Sequence, residues 1–267
     1  MAAEGMLTPK QAAAIAGVSA STVKRWAEQE GLPSVRTPGG HRRFTRSALE
    51  QWLQDRHATA GLHPVEAWIE VLVTGRRHEV DARLLEARAR LGSWHALADE
   101  LGSVLGAMGD AWQDGRLGIG EEHRASEVLA RGLARIGDAL PAAPEGRPVL
   151  LACLGDDDHT LGLSLAELCV REVGLPVVWL GGRTPVADVE RFIRTEAPVM
   201  VALSASSASN DVAGLAEATQ RIGDACREQG AELVLGGTGP WPETPDFGTR
   251  QSSFAAFHEL LQRTRGA

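Results

Sequence analysis

Hydrophobic and polar positions along this chain fall into three regimes. From residue 148 onward, short continuous apolar runs alternate with stretches of helical period. The runs at 149–154, 176–180, 199–203 and 232–235 are too short for helices. They lack the period-two alternation of a half-exposed strand, so they read as strands buried on both faces. The stretches 163–173, 186–196 and 211–229 read as the helices between them. Such alternation predicts a doubly wound, flavodoxin-like parallel sheet over residues 147–267.

Upstream, residues 64–141 carry helical periodicity alone, broken by glycines. Four helices are expected, at 65–73, 77–91, 94–113 and 119–140. Leu84, Leu85, Ala89 and Leu91 would form one apolar stripe; Leu97, Leu101, Val104, Leu105 and Met108 would form another. A four-helix bundle is the expected packing. Residues 58–64 read as a linker.

The first 57 residues show shorter helical units. Thr8-Pro9 suits a helix start, with Ala12, Ala13, Ile15 and Ala16 as a small apolar face. Gly17-Val18-Ser19 is a short turn before a second helix at 20–30, in which Val23 and Trp26 face inward. Two helices joined this way form a helix-turn-helix, whose second helix would present Ser21, Thr22, Lys24 and Arg25 to a major groove. Gly39-Gly40 permits a tight hairpin; beside it His41, Arg42 and Arg43 would form a phosphate-touching wing. A third helix at 45–56 would close the core with Leu49, Trp52 and Leu53. The expected fold class is therefore multidomain: an N-terminal winged helix-turn-helix, a central four-helix bundle and a C-terminal α/β doubly wound domain.

Charge supports the division. Residues 1–56 hold eight Lys/Arg against five Asp/Glu, a net +3 in a chain whose total is −8. A basic module on an acidic body points to a polyanion partner at one end. At 43% hydrophobic and 23% charged, the 267 residues have the composition of a soluble globular protein. No apolar run approaches the ~20 residues that span a bilayer, and the N-terminus lacks a secretory signal pattern. Cys153, Cys169 and Cys226 are odd in number and far apart, which fits neither a zinc site nor a disulfide framework. A cytoplasmic protein without a membrane partner is expected, with Cys153 a small core residue.

The candidate chemistry lies where the first strand of the α/β domain ends. Asp157-x-His159-x-x-Gly162 follows Leu154-Gly155, and ligands of open α/β sheets bind outside the C-terminal ends of the strands. Asp157 is placed to accept a hydrogen bond from one ring nitrogen of His159, leaving the other basic, as a metal-ligating imidazole requires. Three more turns follow strand ends: Gly181–Pro185 with Thr184, Ser204-Ala205-Ser206-Ser207, and Gly236-Gly237-Thr238-Gly239. Each alone is ordinary loop chemistry; all four at C-terminal strand ends favour a ligand groove. Asp156-Asp157-Asp158 would also suit the Mg²⁺ site of a phosphoreceiver domain. That chemistry needs an acceptor carboxylate and a Lys at later strand ends. The chain offers Ser204 and Gly236 there, and no Lys beyond Lys24.

These motifs carry a resemblance. Asp157-x-His159-x-x-Gly162 resembles the signature of cobalamin-binding domains, in which this His is the lower axial ligand of cobalt and this Asp its partner. The Leu180–Pro185 and Gly236-Gly237 turns resemble further parts of that signature; Ser204-x-Ser206 matches in part, Ser206 standing where Leu is common. Trp112-x9-Glu122-His123 resembles the bundle motif of CarH/LitR-type light-responsive regulators, where the Trp covers the upper cobalamin face and the Glu-His pair contacts an upper adenosyl group. The N-terminal order resembles the MerR-family DNA-binding domain, and small excisionase-like proteins as closely.

Over nearly the whole chain, the resemblance implies a repressor and not an enzyme. Its expected cofactor is cobalamin, adenosylcobalamin being favoured, held by Asp157, His159, Gly162, Trp112, Glu122, His123, Thr184, Ser204, Ser206, Gly236 and Gly237. Its expected partners are double-stranded operator DNA and further copies of itself, as a dimer or tetramer that light takes apart. One position departs: light sensors of this type carry a His directly after the Trp, and here that residue is Gln113. An amide does not bind cobalt as imidazole does. A second reading therefore stands, a sensor of cobalamin or of another tetrapyrrole such as a bilin, without cobalt photochemistry. A third, a corrinoid methyltransferase subunit, is disfavoured by the N-terminal module.

Overall fold

The structure, a computed structural model, describes residues 6–16, 23–24, 26–27, 32–37, 40–49, 64–141, 143 and 145–266. The chain divides into two compact units, Met1–Pro64 and Val65–Ala267.

In the first unit, α1 (Pro9–Ala16) opens on a reciprocal cap. Thr8 Oγ1 accepts from the Gln11 amide at 3.3 Å, and Gln11 Oε1 accepts from the Thr8 amide at 2.9 Å. Strands β1 (Val35–Arg36) and β2 (Arg42–Arg43) form an antiparallel hairpin. Gly40, at φ +79°, supplies the left-handed residue of its turn. Leu7 and Phe44 exchange backbone hydrogen bonds of 2.7 and 3.0 Å, tying the chain ahead of α1 to the residue after β2. Ala12, Ala13, Val23, Trp26, Leu32, Phe44 and Leu49 close one apolar cluster. Residues 23–24, 26–27 and 46–49 are helical, within two of the expected helices. The expected cap Ser19 and the core residues Trp52 and Leu53 lie outside the described residues.

The second unit begins with four helices: α2 (Pro64–Thr74), α3 (Arg77–Leu91), α4 (Trp94–Gln113) and α5 (Ile119–Ala139). Helix α3 ends on Gly92 in the left-handed conformation, its amide bonded to Arg88 O. The next residue, Ser93, caps α4 by accepting from the Ala96 amide at 3.3 Å. The apolar face of α3 differs from the expected stripe. Val80, Leu84 and Ala87, spaced i, i+4, i+7, are buried, while Leu85 is 56% exposed and Ala89 lies outside. The buried face is set by α5, where Leu84 and Val80 reach to within 2.9 and 3.6 Å of the position a Cβ on Gly132 would occupy.

A five-stranded parallel sheet follows, in the order β4-β3-β5-β6-β7. Its strands are β3 (Val149–Leu154), β4 (Val177–Thr184), β5 (Met200–Ser204), β6 (Glu232–Gly236) and β7 (Thr249–Arg250). Its helices are α6 (Leu161–Glu172), α7 (Val186–Glu196), α8 (Val212–Gln229) and α9 (Phe254–Gly266). Every residue of β3 is buried, and its alternation divides two cores. Val149, Leu151 and Cys153 join a cluster with α6, α9 and the four preceding helices. Leu150, Ala152 and Leu154 join a cluster with α7 and α8. A strand covered on both faces has no polar side to show, which is why the sequence runs apolar without interruption.

Three elements depart from expectation, one of them α9, where no helix was expected. The second strand does not stop at 180 but continues through Thr184, with register irregularities against β3 on either side of Ala152. The edge strand β7 was not anticipated, because a two-residue strand carries no periodic signal.

Candidate functional site

Parallel strands end together, so the loops after β3, β4, β5 and β6 meet on one edge of the sheet. Asp157 lies at the centre of that edge, its side chain 2% exposed. Its Oδ1 accepts from the His159 amide at 3.0 Å, His159 Nδ1 at 2.9 Å and Ser206 Oγ at 3.1 Å. Its Oδ2 accepts from the Ser206 amide at 2.6 Å and Ser209 Oγ at 2.9 Å. One carboxylate thus gathers five donors from two loops. Burial works to raise its pKa; the Ser206 and His159 amides, the imidazole and the Ser209 hydroxyl outweigh it and hold the carboxyl below its ordinary value.

The bond to Nδ1 fixes the His159 tautomer: Nδ1 carries the proton and Nε2 keeps its lone pair. The His159 side chain is 60% exposed. A held imidazole with a free, outward basic nitrogen is the donor set that an axial metal position requires, so these residues fit a cobalt-bearing cofactor. Behind the loop, Cys153 Sγ donates to His159 O at 3.6 Å. Burial first, then the Asp157 charge, pushes this thiol up to about 12, and it is a neutral core residue.

The other groove residues divide. Gly162 leaves room for Ser204, whose Oγ would stand 3.3 Å from a Cβ there. Gly237, at φ +82°, would place a Cβ 2.3 Å from Ala205 O, so internal backbone crowding already demands glycine. Gly236 O accepts from the buried Trp241 indole at 2.7 Å. Thr184 is buried and donates its hydroxyl to Gly181 O at 3.2 Å, so that donor is spent inside the chain. Trp112 is 48% exposed in the last turn of α4, and Gln113 beside it is exposed too. In the first turns of α5, Glu122 accepts from Ser126 Oγ at 2.6 Å, and the exposed His123 lies 3.8 Å from Glu122. Among the described residues, no hydrogen bond or ion pair joins Trp112, Glu122 or His123 to the Asp157 cluster.

Two residues of this edge went unread in the sequence. Ser209 stands three after Ser206, a spacing at which both hydroxyls reach one acceptor. Arg183 donates its amide to Asp157 O at 2.8 Å and its guanidinium to Asp158 at 2.8 Å, from an unusual backbone at φ +53°. Nothing in its neighbours announces that conformation.

In the first unit, Lys24 and His41 are exposed, and Arg42 and Arg43 are half-buried along the hairpin. Ser21, Thr22 and Arg25 lie outside the described residues.

Residues 6–57 match a family described as a helix-turn-helix domain, and residues 64–136 a family described as a B12 binding domain. The HTH-type transcriptional repressor CarH of Myxococcus xanthus is 29% identical in an alignment 231 residues long that covers 72% of this chain and 76% of that protein. The chain is thus similar to CarH-type regulators across both matched regions. The repressor CarA of the same organism is 28% identical in an alignment 216 residues long that covers 72% of this chain and 74% of CarA. In fold, the monomethylamine corrinoid protein of Methanosarcina barkeri superposes with a TM-score of 0.57 at 14% identity, over 74% of this chain and 96% of that one. No described helix is long and apolar enough to cross a membrane.

Proposed function

We propose that this chain is a cobalamin-binding transcriptional repressor in which His159 is the lower axial ligand of cobalt. The carrying observation is the Asp157–His159 pair, with Nδ1 held at 2.9 Å and Nε2 left free. Asp157 orients the ring and fixes its tautomer, and Ser206 and Ser209 fix Asp157 in turn. Gly162, Ser204, Ser206 and Gly236 line the groove beside it, while Thr184 and Gly237 shape its walls. Residues 64–141 form a helical bundle over the cofactor, with Trp112, Glu122 and His123 toward its upper face. Bound adenosylcobalamin supplies a light-cleavable cobalt–carbon bond. The bundle faces read a change on that side only if the assembled and separate states bind the cofactor differently. Lys24, His41, Arg42 and Arg43 contact operator DNA, and the sequence alone assigns Ser21, Thr22 and Arg25 to the same interface.

The test is reconstitution with adenosylcobalamin in darkness, followed by absorption spectra and sizing chromatography before and after green light. A bound spectrum that changes on illumination together with oligomer size is expected. His159→Ala should load poorly or give an altered spectrum; an unchanged spectrum rejects the ligand assignment. Gln113 favours a second reading, a chemical sensor of cobalamin or a bilin, distinguished by binding with no coupled change in size. Retention of the purified protein on specific DNA separates both readings from a methyltransferase subunit.

A further inference from the structure

At the far end of α6, about 18 Å from the His159 loop at 1.5 Å per residue, three side chains from three helices converge: His95 of α4, Glu172 of α6 and His258 of α9. Their nearest ligand atoms all lie within 4.8 Å of one another. His95 Nδ1 is 3.0 Å and His258 Nδ1 3.6 Å from the same oxygen, Glu172 Oε2. The two rings lie 4.1 Å apart between centroids, beside a cavity of about 590 Å³ that Ser93 and Gln262 help to line.

We propose that His95, Glu172 and His258 form a binding site for a divalent transition-metal ion of the zinc class, which clamps the helical segment to the α/β domain. Two imidazoles and one carboxylate with an open fourth position are a donor set that zinc takes readily. His258 is the deciding residue. It is only 8% exposed, yet its Nδ1 has no hydrogen-bond partner, which is costly unless something occupies that direction. Its Nε2 lies 2.9 Å from the Gln262 amide nitrogen, which only donates, so Nε2 accepts there and Nδ1 carries the proton; binding a metal through Nδ1 requires the Gln262 amide to turn over, so that its oxygen accepts from Nε2–H and Nδ1 offers the lone pair. Burial, with His95 adding, holds the His258 pKa below its usual value.

The other two ligands are equally prepared. Glu172 divides its oxygens: Oε1 accepts from the Trp94 amide at 2.8 Å and from Arg88 at 3.3 Å, while Oε2 accepts from the His95 amide at 3.2 Å and faces both imidazoles. Its charge persists, because hydrogen bonds from Trp94 and His95 outweigh burial and hold its pKa below the ordinary range. For His95 to bind through Nδ1, its proton moves to Nε2, where Ser93 Oγ waits at 3.2 Å. Each ligand then retains an outer hydrogen-bond partner, as metal-binding residues usually do.

The experiment is titration of the full-length, metal-free, cobalamin-free protein with Co(II), read by visible d–d absorption, with Zn(II) as competitor. One saturable equivalent, displaced by Zn(II), is expected in the wild type and in His159→Ala, which disables the Asp157–Asp158–His159 cluster. His258→Ala, shown to be folded by circular dichroism, should bind at least about 100-fold more weakly, since losing an outer partner alone costs about 10–100-fold. His258→Cys should restore binding and add a thiolate-to-cobalt charge-transfer band. No saturable absorption in the wild type overturns the proposal. So does binding that survives His258→Ala, or that disappears in His159→Ala.

Discussion

Replacing Asp157 by Asn keeps the shape of the side chain and removes its charge, which isolates what the carboxylate does. The carboxylate accepts two backbone amides, one imidazole and two hydroxyls. An amide offers one oxygen. Turned toward the Oδ1 position, it sets its NH₂ against the Ser206 amide; turned the other way, it faces the His159 amide. Either orientation orphans a buried backbone donor, at about 1–3 kcal/mol, and the remaining bonds lose charge assistance worth about 1 kcal/mol. A loss of about 2–4 kcal/mol is expected, or about 4–16 °C in Tm for a unit of this size. The effect depends on pH in a defined sense. The folded Asp157 pKa lies below the unfolded value of ~3.9, so its stabilisation is complete above that value and is lost as pH falls through the folded pKa. The wild type should therefore lose its advantage over Asp157→Asn on acidification below about pH 4. The assay is thermal unfolding of both proteins from pH 7 to pH 3, with the His159 tautomer read by ¹⁵N NMR. Equal melting at pH 7, together with an unchanged Nδ1–H tautomer in the variant, would refute the assignment of Asp157 as the group that fixes His159.

Asp99 caps α9 by accepting from the Phe254 and Ala255 amides at 2.7 and 3.0 Å; Asp99→Ala should cost about 1–2 kcal/mol in urea unfolding. Gly237→Ala forces a Cβ to 2.3 Å from Ala205 O at φ +82° and should destabilise by more than about 2 kcal/mol with or without cobalamin. A loss seen only with cofactor present would mean that the groove, not the backbone, demands glycine. Lys24→Ala should weaken DNA binding on all sequences alike and reduce the slope of log K against log salt by about 1. Unchanged salt dependence would remove Lys24 from the phosphate contacts.

Strands and helices of the α/β domain were legible because burial there is two-sided and periodicity is simple. The sequence pattern places β3 and α7 at their observed limits, since Pro148 and Gly155 bracket the first and Pro185 and Pro198 the second. Expectation failed where one surface decides between two apolar choices. Leu85 and Leu84 are equally hydrophobic, and only the position of α5 determines that Leu84 turns inward. It failed also at β4, where glycines 181 and 182 read as a turn. There Thr184 and Arg183 continue the pairing instead, because the Arg183 amide finds Asp157 O across the loop.

The site divides along the same line. Asp157 and His159 sit two residues apart, so their hydrogen bond is a local consequence of sequence, and the spacing was enough to propose it. Ser206 and Ser209 reach Asp157 from 49 and 52 residues away; only the adjacency of β3 and β5 brings them together. Ser206 illustrates how a departure from a family pattern acquires a reason. Where Leu is common, this chain places a hydroxyl that donates to Asp157 Oδ1 and also lies 3.2 Å from His159 Nδ1. Leu there would remove a donor from the carboxylate while keeping the Ser206 backbone bond, so Ser206→Leu should loosen the imidazole without freeing Asp157. Cobalamin loading and His159 tautomer, measured in that variant, decide whether the extra hydroxyl tightens the ligand. If both match the wild type, the backbone amides and Ser209 suffice to hold Asp157, and Ser206 contributes only its N–H.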